Sequence, residues 1–189
     1  MSIVVAISKN DRIVIASDSL TSFSDDLCVP AANSATSKIR TLGDALLGAS
    51  GWAVYDRILD DYLATAETPR LDDESAIFAF FLDLWKALHD RYPFVNDQAG
   101  SRETPFGDLD STFLIAAPRG IYKVSNDMDV CRFRQYYAIG SGAPYAFGAL
   151  HTLYETELPP DEIARRAVAT ANAFDPYCGG QIVVREVGR

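Results

Sequence analysis

The fold is decided by the opening stretch, which reads Met1-Ser2-Ile3-Val4-Val5-Ala6-Ile7-Ser8-Lys9-Asn10-Asp11-Arg12-Ile13-Val14-Ile15-Ala16-Ser17-Asp18. Two short runs rich in Val and Ile flank the polar segment 9–12, which is typical of a hairpin whose strands lie inside a sheet. We therefore expect a core strand to begin almost at the first residue, although chain ends usually fray. Ser2 is small enough to allow removal of Met1, which would leave a hydroxyl and a free α-amine on one residue.

Composition and charge narrow the class of protein. The chain has 189 residues, of which 48% are hydrophobic, so we expect residues 1–189 to form one domain. The net charge of -9 argues against nucleic acid or an anionic membrane as the main partner. Neither a signal peptide nor a run near the ~20 apolar residues of a membrane helix is evident. We expect a soluble, cytoplasmic protein.

The number and spacing of the cysteines and histidines do not indicate a metal site. Cys28, Cys131 and Cys178 are odd in number and lack the spacing of metal ligands, and His89 and His151 are the only histidines. A disulfide framework, a metal site and a cofactor are therefore not expected.

Hydrophobic periodicity predicts strands, two helices, strands, two helices and a final strand. This grouping indicates an α+β fold in which two stacked sheets are covered by paired helices on both outer faces. Two stretches are predicted to be loops, Ser19–Thr36 and Phe94–Gly107. The predicted strands after the opening hairpin are Ser37–Leu42, Ala45–Gly51, Ser111–Ala117, Ile121–Val124, Phe133–Ile139 and Gln181–Val187, and the predicted helices are Trp52–Thr65, Glu74–Tyr92, Pro144–Tyr154 and Pro160–Phe174.

Six short motifs follow one another in the order and at the spacing found in one known family. They are Ser2-Ile3-Val4-Val5, Ala16-Ser17-Asp18-Ser19, Ser37-Lys38-Ile39-Arg40, Gly48-Ala49-Ser50-Gly51, Ala138-Ile139-Gly140-Ser141-Gly142-Ala143-Pro144-Tyr145-Ala146 and Asp175-Pro176-Tyr177-Cys178-Gly179-Gly180. With these motifs the chain resembles the proteasome β-subunit and HslV group of N-terminal nucleophile (Ntn) hydrolases over nearly its whole length. The resemblance implies a four-layer αββα sandwich with two antiparallel sheets.

The resemblance also implies a peptidase of the threonine-protease type and assigns roles to single residues. The residues implied as catalytic are Ser2, Asp18, Lys38, Ser141 and Asp175. Those implied in other roles are Gly51 as an oxyanion donor, Ala49 and Thr21 as substrate-binding residues, and Cys178 as a supporting residue.

The chemistry of these residue types agrees with that assignment. A Ser hydroxyl is a weak nucleophile until a base takes its proton, and an α-amine has a reference pKa of roughly 7.7 to 8.0. Lys38 near the amine would disfavour its charged form, and Asp18 would hold Lys38 in place. The N–H group of Gly51 would stabilise the oxyanion of the tetrahedral intermediate. These parts together describe amide hydrolysis through an acyl-enzyme.

Three residues depart from the family pattern or bear on its specificity. Ser2 stands where the family usually has Thr, and Cys178 stands where proteasomes generally have Ser, a better hydrogen-bond donor. Ala49 is equivalent to the residue at the floor of the family's primary specificity pocket, and its small side chain implies room for large apolar substrate side chains.

The resemblance implies a homo-oligomeric double ring of six or seven subunits each, acting on unfolded polypeptide or peptides, with an ATP-dependent unfoldase as a possible partner. Ring contacts are expected on the segment Gly142–Tyr154 and on the first two helices. Two other functions remain open on the sequence alone. One is an inactive proteasome-like scaffold that retains Met1, and the other is an Ntn amidase for a small non-peptide amide.

Overall fold

The computed structural model of the protein describes residues 2–23, 27–29, 37–92, 109 and 111–188. Within these ranges the chain forms eleven strands and four helices. The strands are β1 (Val4–Lys9), β2 (Arg12–Ser17), β3 (Thr21–Phe23), β4 (Leu27–Val29), β5 (Ile39–Leu42), β6 (Ala45–Gly51), β7 (Ser111–Ala117), β8 (Gly120–Val124), β9 (Val130–Phe133), β10 (Tyr136–Ile139) and β11 (Val183–Glu186). The helices are α1 (Val54–Thr65), α2 (Glu74–Arg91), α3 (Ala143–Tyr154) and α4 (Pro160–Phe174).

Two large antiparallel sheets form the centre of the described structure. One has the strand order β10-β1-β2-β11, and the other has the order β5-β6-β7-β8-β9. The expected opening hairpin is present, with Val4 opposite Ser17 and Lys9 opposite Arg12. Its two turn residues, Asn10 and Asp11, both have positive φ, which is the backbone twist that suits a two-residue hairpin.

Three clusters of apolar side chains fill the spaces between neighbouring layers. Because side chains alternate along a strand, Val5 and Ile7 of β1 pack towards α3 and α4, whereas Val4 and Ala6 pack against the five-stranded sheet. A third cluster, which includes Phe81, fills the space between the five-stranded sheet and helices α1 and α2. The layer order is therefore helices, sheet, sheet, helices, and the expected four-layer αββα sandwich is confirmed.

Two expectations about strands were wrong. The stretch Phe133–Ile139 was expected to be one strand, but the chain bends at Arg134 and Gln135, so that β9 ends in one sheet and β10 begins in the other. Only the two polar bend residues separate the apolar residues of β9 and β10, and the Phe133 and Tyr137 rings stack with their centroids 3.9 Å apart, so such a short interruption does not reveal the crossing.

The second error lies in the expected loop Ser19–Thr36. Part of it forms a hairpin in which Thr21 pairs with Val29 and Phe23 with Leu27, while residues 24–26 and 30–36 lie outside the described ranges. The whole of the expected loop Phe94–Gly107 also lies outside them. None of the helices in the described ranges has the length and apolar character needed to cross a membrane.

Candidate active site

The open end of the β1–β2 hairpin brings Ser2 and Asp18 close together. The backbone N–H of Asp18 donates to the carbonyl oxygen of Ile3 at 3.3 Å, and the N–H of Ile3 donates to Asp18 Oδ1 at 3.1 Å. Both bonds continue the hairpin ladder past its last strand pair. The peptide that joins Ser2 to Ile3 is therefore fixed against the Asp18 carboxylate.

The Asp18 carboxylate is fully buried and fully satisfied. Its side chain has 0% exposure, and Lys38 Nζ lies 2.6 Å from Oδ1. Backbone N–H groups of Leu20 and Gly179 donate to Oδ2 at 3.3 and 3.1 Å. A buried charge needs a partner and several hydrogen bonds to be tolerated, and here one ammonium and three N–H groups supply them.

The position of the Lys38 ammonium follows from these shared bonds. Lys38 Nζ and the Ile3 N–H both end on the same oxygen of Asp18, so the ammonium lies within two hydrogen bonds of the residue after Ser2. The Lys38 side chain is 12% exposed, which limits the screening of its charge by water. This arrangement can apply positive charge to a group at Ser2.

The turn at Gly140–Gly142 packs directly on the backbone of Ser2. Gly140 has a φ of +100°, and a Cβ atom there would lie 2.1 Å from the Ser2 carbonyl oxygen and 3.2 Å from Ser50 Oγ. The N–H of Gly142 donates to the same Ser2 carbonyl oxygen at 3.4 Å. Glycine is therefore required at position 140, and the turn brings the end of β6 next to Ser2.

A second acidic group lies on the other side of this turn. The Asp175 side chain accepts a hydrogen bond from the Tyr177 N–H at 2.9 Å and one from Cys178 Sγ at 3.3 Å. Burial raises the pKa of Asp175, but hydrogen bonds from Ser141, Tyr177 and Cys178 outweigh burial and leave that pKa below its ordinary value. Asp175 is therefore an anion that gathers Ser141 and Cys178 at one place.

Cys178 is a buried thiol beside the N-terminal strand. A Cβ atom on Gly142 would lie 2.8 Å from Cys178 Sγ and 3.1 Å from the Cβ of Ile3, so the thiol packs beside the N-terminal strand. Burial, followed by the hydrogen bond to Asp175, raises the pKa of Cys178 to about 12. Because the thiolate is the reactive form, Cys178 fits a supporting role and not that of a nucleophile.

The other three sequence-predicted residues lie along β3 and β6. Gly51 ends β6, is exposed and has a φ of +155°, and two residues separate it from α1. Ala49 is half-buried against the apolar cluster beneath α1 and α2. Thr21 begins β3 and is half-buried. The roles of these three residues stay predictions.

Sequence reasoning assigned no role to several groups that build the site. The N–H donors of Leu20 and Gly179 to Asp18 were not identified, nor was the contact of Gly140 with Ser2. Gly140 and Gly179 occur in the quoted motifs, and their presence there was the signal from which these contacts could have been suspected. A backbone N–H exists at nearly every position, so a sequence does not show which ones converge on a carboxylate.

Comparison with known proteins places this arrangement in a family. No family model matches the chain. A curated relative, the ATP-dependent protease subunit HslV of Caldicellulosiruptor saccharolyticus, is 26% identical over 186 residues, which is 97% of each chain. The solved structure of Thiobacillus denitrificans BPH is 34% identical, covers 98% of both chains and superposes with a TM-score of 0.87. The chain belongs to the HslV-type, proteasome-like family.

Two further solved structures are similar to the chain over nearly its whole length. Thiobacillus denitrificans BPH in complex with epoxomicin is 33% identical, covers 99% of this chain and all of that chain, and has a TM-score of 0.86. Eukaryotic HslV from Trypanosoma brucei, at 16% identity and a TM-score of 0.69, shares the fold over 97% of this chain and 98% of that one. The chain is an HslV-like protease subunit, and the expectation that it is a peptidase is confirmed.

Proposed function

We propose that the chain hydrolyses peptide bonds with Ser2 as an N-terminal nucleophile after Met1 has been removed. One observation carries the proposal: Lys38 Nζ and the Ile3 N–H meet on a single oxygen of the buried Asp18 carboxylate. Such a buried ion pair is difficult to maintain for stability alone, because its desolvation opposes its Coulomb attraction. Its position beside Ser2 supports a role in catalysis, in which the charge of Lys38 acts on the α-amine of Ser2.

The proposed reaction proceeds in two steps. The Ser2 oxygen attacks the peptide carbonyl carbon while the Ser2 α-amine takes the hydroxyl proton and then delivers it to the leaving amine. Water repeats this sequence on the resulting ester and regenerates the free hydroxyl. The positive charge of Lys38, held by Asp18, favours the neutral, proton-accepting form of the α-amine at neutral pH.

The remaining residues receive supporting roles in this proposal. Ser141 and Asp175 orient the α-amine by hydrogen bonds, and Cys178 holds Asp175 in place with its neutral thiol. The N–H of Gly51 stabilises the oxyanion of the tetrahedral intermediate. Ala49 and Thr21 line the substrate cleft, where the small Ala49 side chain leaves space for large apolar residues.

We further propose that residues 1–189 act as one domain within a homo-oligomeric double ring of six or seven subunits each. Unfolded polypeptide or peptides are the substrate. The name of the curated relative, an ATP-dependent protease subunit, supports an ATP-dependent unfoldase as a partner. The cytoplasmic location expected from the sequence stays a prediction.

Hydrolysis of fluorogenic peptides by variants at Ser2 tests the proposed nucleophile. Ser2→Ala should abolish hydrolysis and leave thermal unfolding unchanged, because the backbone carbonyl that Gly142 binds is retained. Ser2→Thr should preserve or raise the rate. Ser8→Ala, the same change at the other end of β1, is the control and should remain active. Hydrolysis by Ser2→Ala at the parental rate would contradict the assignment.

The substrate class has its own test. Peptides ending in Leu, Tyr, Arg or Glu should show a preference for the large apolar residues. A preference for Glu would contradict the role given to Ala49. Failure to cleave any peptide, with turnover of a small non-peptide amide, would instead favour an Ntn amidase.

A further inference from the structure

A cavity of about 530 Å³ opens between the first turn of α2 and the turn that joins β8 to β9. Its apolar wall consists of Phe78, Met128 and Val130, and its other lining includes three carboxylates, those of Glu74, Asp127 and Asp129. Phe78 is 44% exposed, which is unusual for a phenyl ring beside two other apolar side chains. The cavity is wide open to solvent, so a side chain on the surface of a partner could enter it directly.

The carboxylates of this cavity are available for a partner. Within the described ranges, none of the three forms an ion pair with a Lys or Arg side chain. Asp127 accepts a hydrogen bond from Ser125 Oγ, which lowers its pKa below the ordinary value, and Asp129 accepts one from Cys131 Sγ at 3.0 Å. The cavity therefore combines an apolar wall with three carboxylates, of which Asp127 has the Lys123 ammonium nearby, and it would accept an apolar group next to a further cation.

The same chain carries a face with the complementary character, at the start of α1. Trp52 is 62% exposed and Val54 is 41% exposed. Arg57 follows Val54 by three residues, so the two share one side of the helix. The Arg57 side chain is 86% exposed, and its contact with Asp60 is long, at 3.8 Å. This face presents a large aromatic ring, an aliphatic side chain and a loosely held cation to solvent.

The two faces lie at opposite edges of the five-stranded sheet. Val130 belongs to β9, one edge strand. The other edge strand, β5, carries Arg40, which binds Asp56 at 2.6 Å and Asp60 at 2.9 Å and thereby holds α1 beside that edge. Complementary faces on opposite edges produce a head-to-tail contact, and repeated head-to-tail contacts close into a ring when the rotation between copies allows it.

We propose that the α1 face, Trp52, Val54 and Arg57, of one copy docks into the α2 cavity of the next copy around the ring. Trp52 fills the cavity against Phe78 and Met128, and Arg57 pairs with Asp127 and Asp129. Trp and Arg are the residues most enriched among those that dominate binding energy, and a buried Trp anchor contributes most when the surrounding pocket is apolar. The proposal rests on the ring assembly proposed above and names the surfaces that build it.

Native mass spectrometry and light scattering of charge-reversal variants test the proposal. Arg57→Glu and Trp52→Ala should each raise the concentration at which half of the chains are assembled by at least about 30-fold, the change expected for loss of a dominant interface residue. Arg57→Glu combined with Asp129→Arg in the same chain should restore assembly, because each copy then offers both reversed charges. Lys86→Glu, a reversal at another exposed i,i+3 pair on α2, is the matched control and should assemble like the parent.

The outcomes separate this proposal from the proposed function. Rings that persist in both Arg57→Glu and Trp52→Ala would overturn the docking surface and leave the ring itself standing. A parent chain that is monomeric at all concentrations would overturn both. Disassembly that Asp129→Arg fails to rescue would also contradict the pairing. Thermal unfolding of each variant checks that the subunit remains folded.

Discussion

Replacement of Lys38 with Met should destabilise the fold and remove activity together. The Asp18 side chain is 0% exposed and the Lys38 side chain 12%, so the substitution leaves a buried carboxylate without its ammonium. Removing one partner of a buried pair costs about 3 to 5 kcal/mol. We expect the lower end, about 3 kcal/mol, because the N–H groups of Ile3, Leu20 and Gly179 still bind the carboxylate.

Thermal unfolding followed by circular dichroism measures this loss. For a chain of this length 1 kcal/mol corresponds to about 2–4 °C, so Lys38→Met should lower Tm by about 6–12 °C. The matched control is Arg166→Met, which breaks the exposed pair with Glu162 at 2.7 Å and should change stability by less than about 1 kcal/mol. Both variants must be compared at one protein concentration, since assembly also raises Tm. Equal shifts in the two variants would refute the reasoning.

Three further predictions follow from single groups at the site. Gly140→Ala should destabilise the fold and abolish hydrolysis, since its Cβ would lie 2.1 Å from the Ser2 carbonyl oxygen; a parental Tm would contradict this. Cys178, with a pKa of about 12, should resist alkylation at pH 8 in the folded protein and react after unfolding, as peptide mass spectrometry would show. Because the folded-state pKa of Asp175 is lowered, its contribution to stability is present above the ordinary pKa of about 3.9 and is lost as the pH falls further. Chemical denaturation at several pH values should show a smaller pH dependence in Asp175→Asn, and an unchanged dependence would refute the assignment.

The sequence predicted the fold well where apolar runs have clear boundaries. The strands β1 and β2 are apolar on both faces, and the polar segment between them marks the hairpin turn. Helix α2 has apolar residues at helical spacing, and its predicted end was misplaced by one residue. The crossing at Arg134 and Gln135 was missed because these two polar residues interrupt the apolar pattern only briefly, and two buried sheets accept the same residue types. The β3–β4 hairpin was missed because its short strands lie in a polar stretch without a strong alternation.

The sequence predicted the side chains of the candidate site but not the backbone contacts that position them. Asp18, Lys38 and Asp175 could be named because each lies in a motif that resembles the family's in order and spacing. The geometry that unites them depends on N–H donors from residues such as Leu20 and Gly179 and on the backbone angle at Gly140. Those contributions arise only when distant segments meet, so the sequence could name the candidate side chains and not the bonds that position them.

The N-terminal residue and its reaction with epoxomicin test the central claim most directly. Intact mass of the purified protein should correspond to the chain without Met1, and after incubation with epoxomicin the mass should rise by one inhibitor. Peptide mapping should place that adduct on the peptide that begins with Ser2, and Ser2→Ala should remain unmodified. Retention of Met1 with no adduct, or an adduct on Cys178, would contradict the assignment of Ser2 as an N-terminal nucleophile.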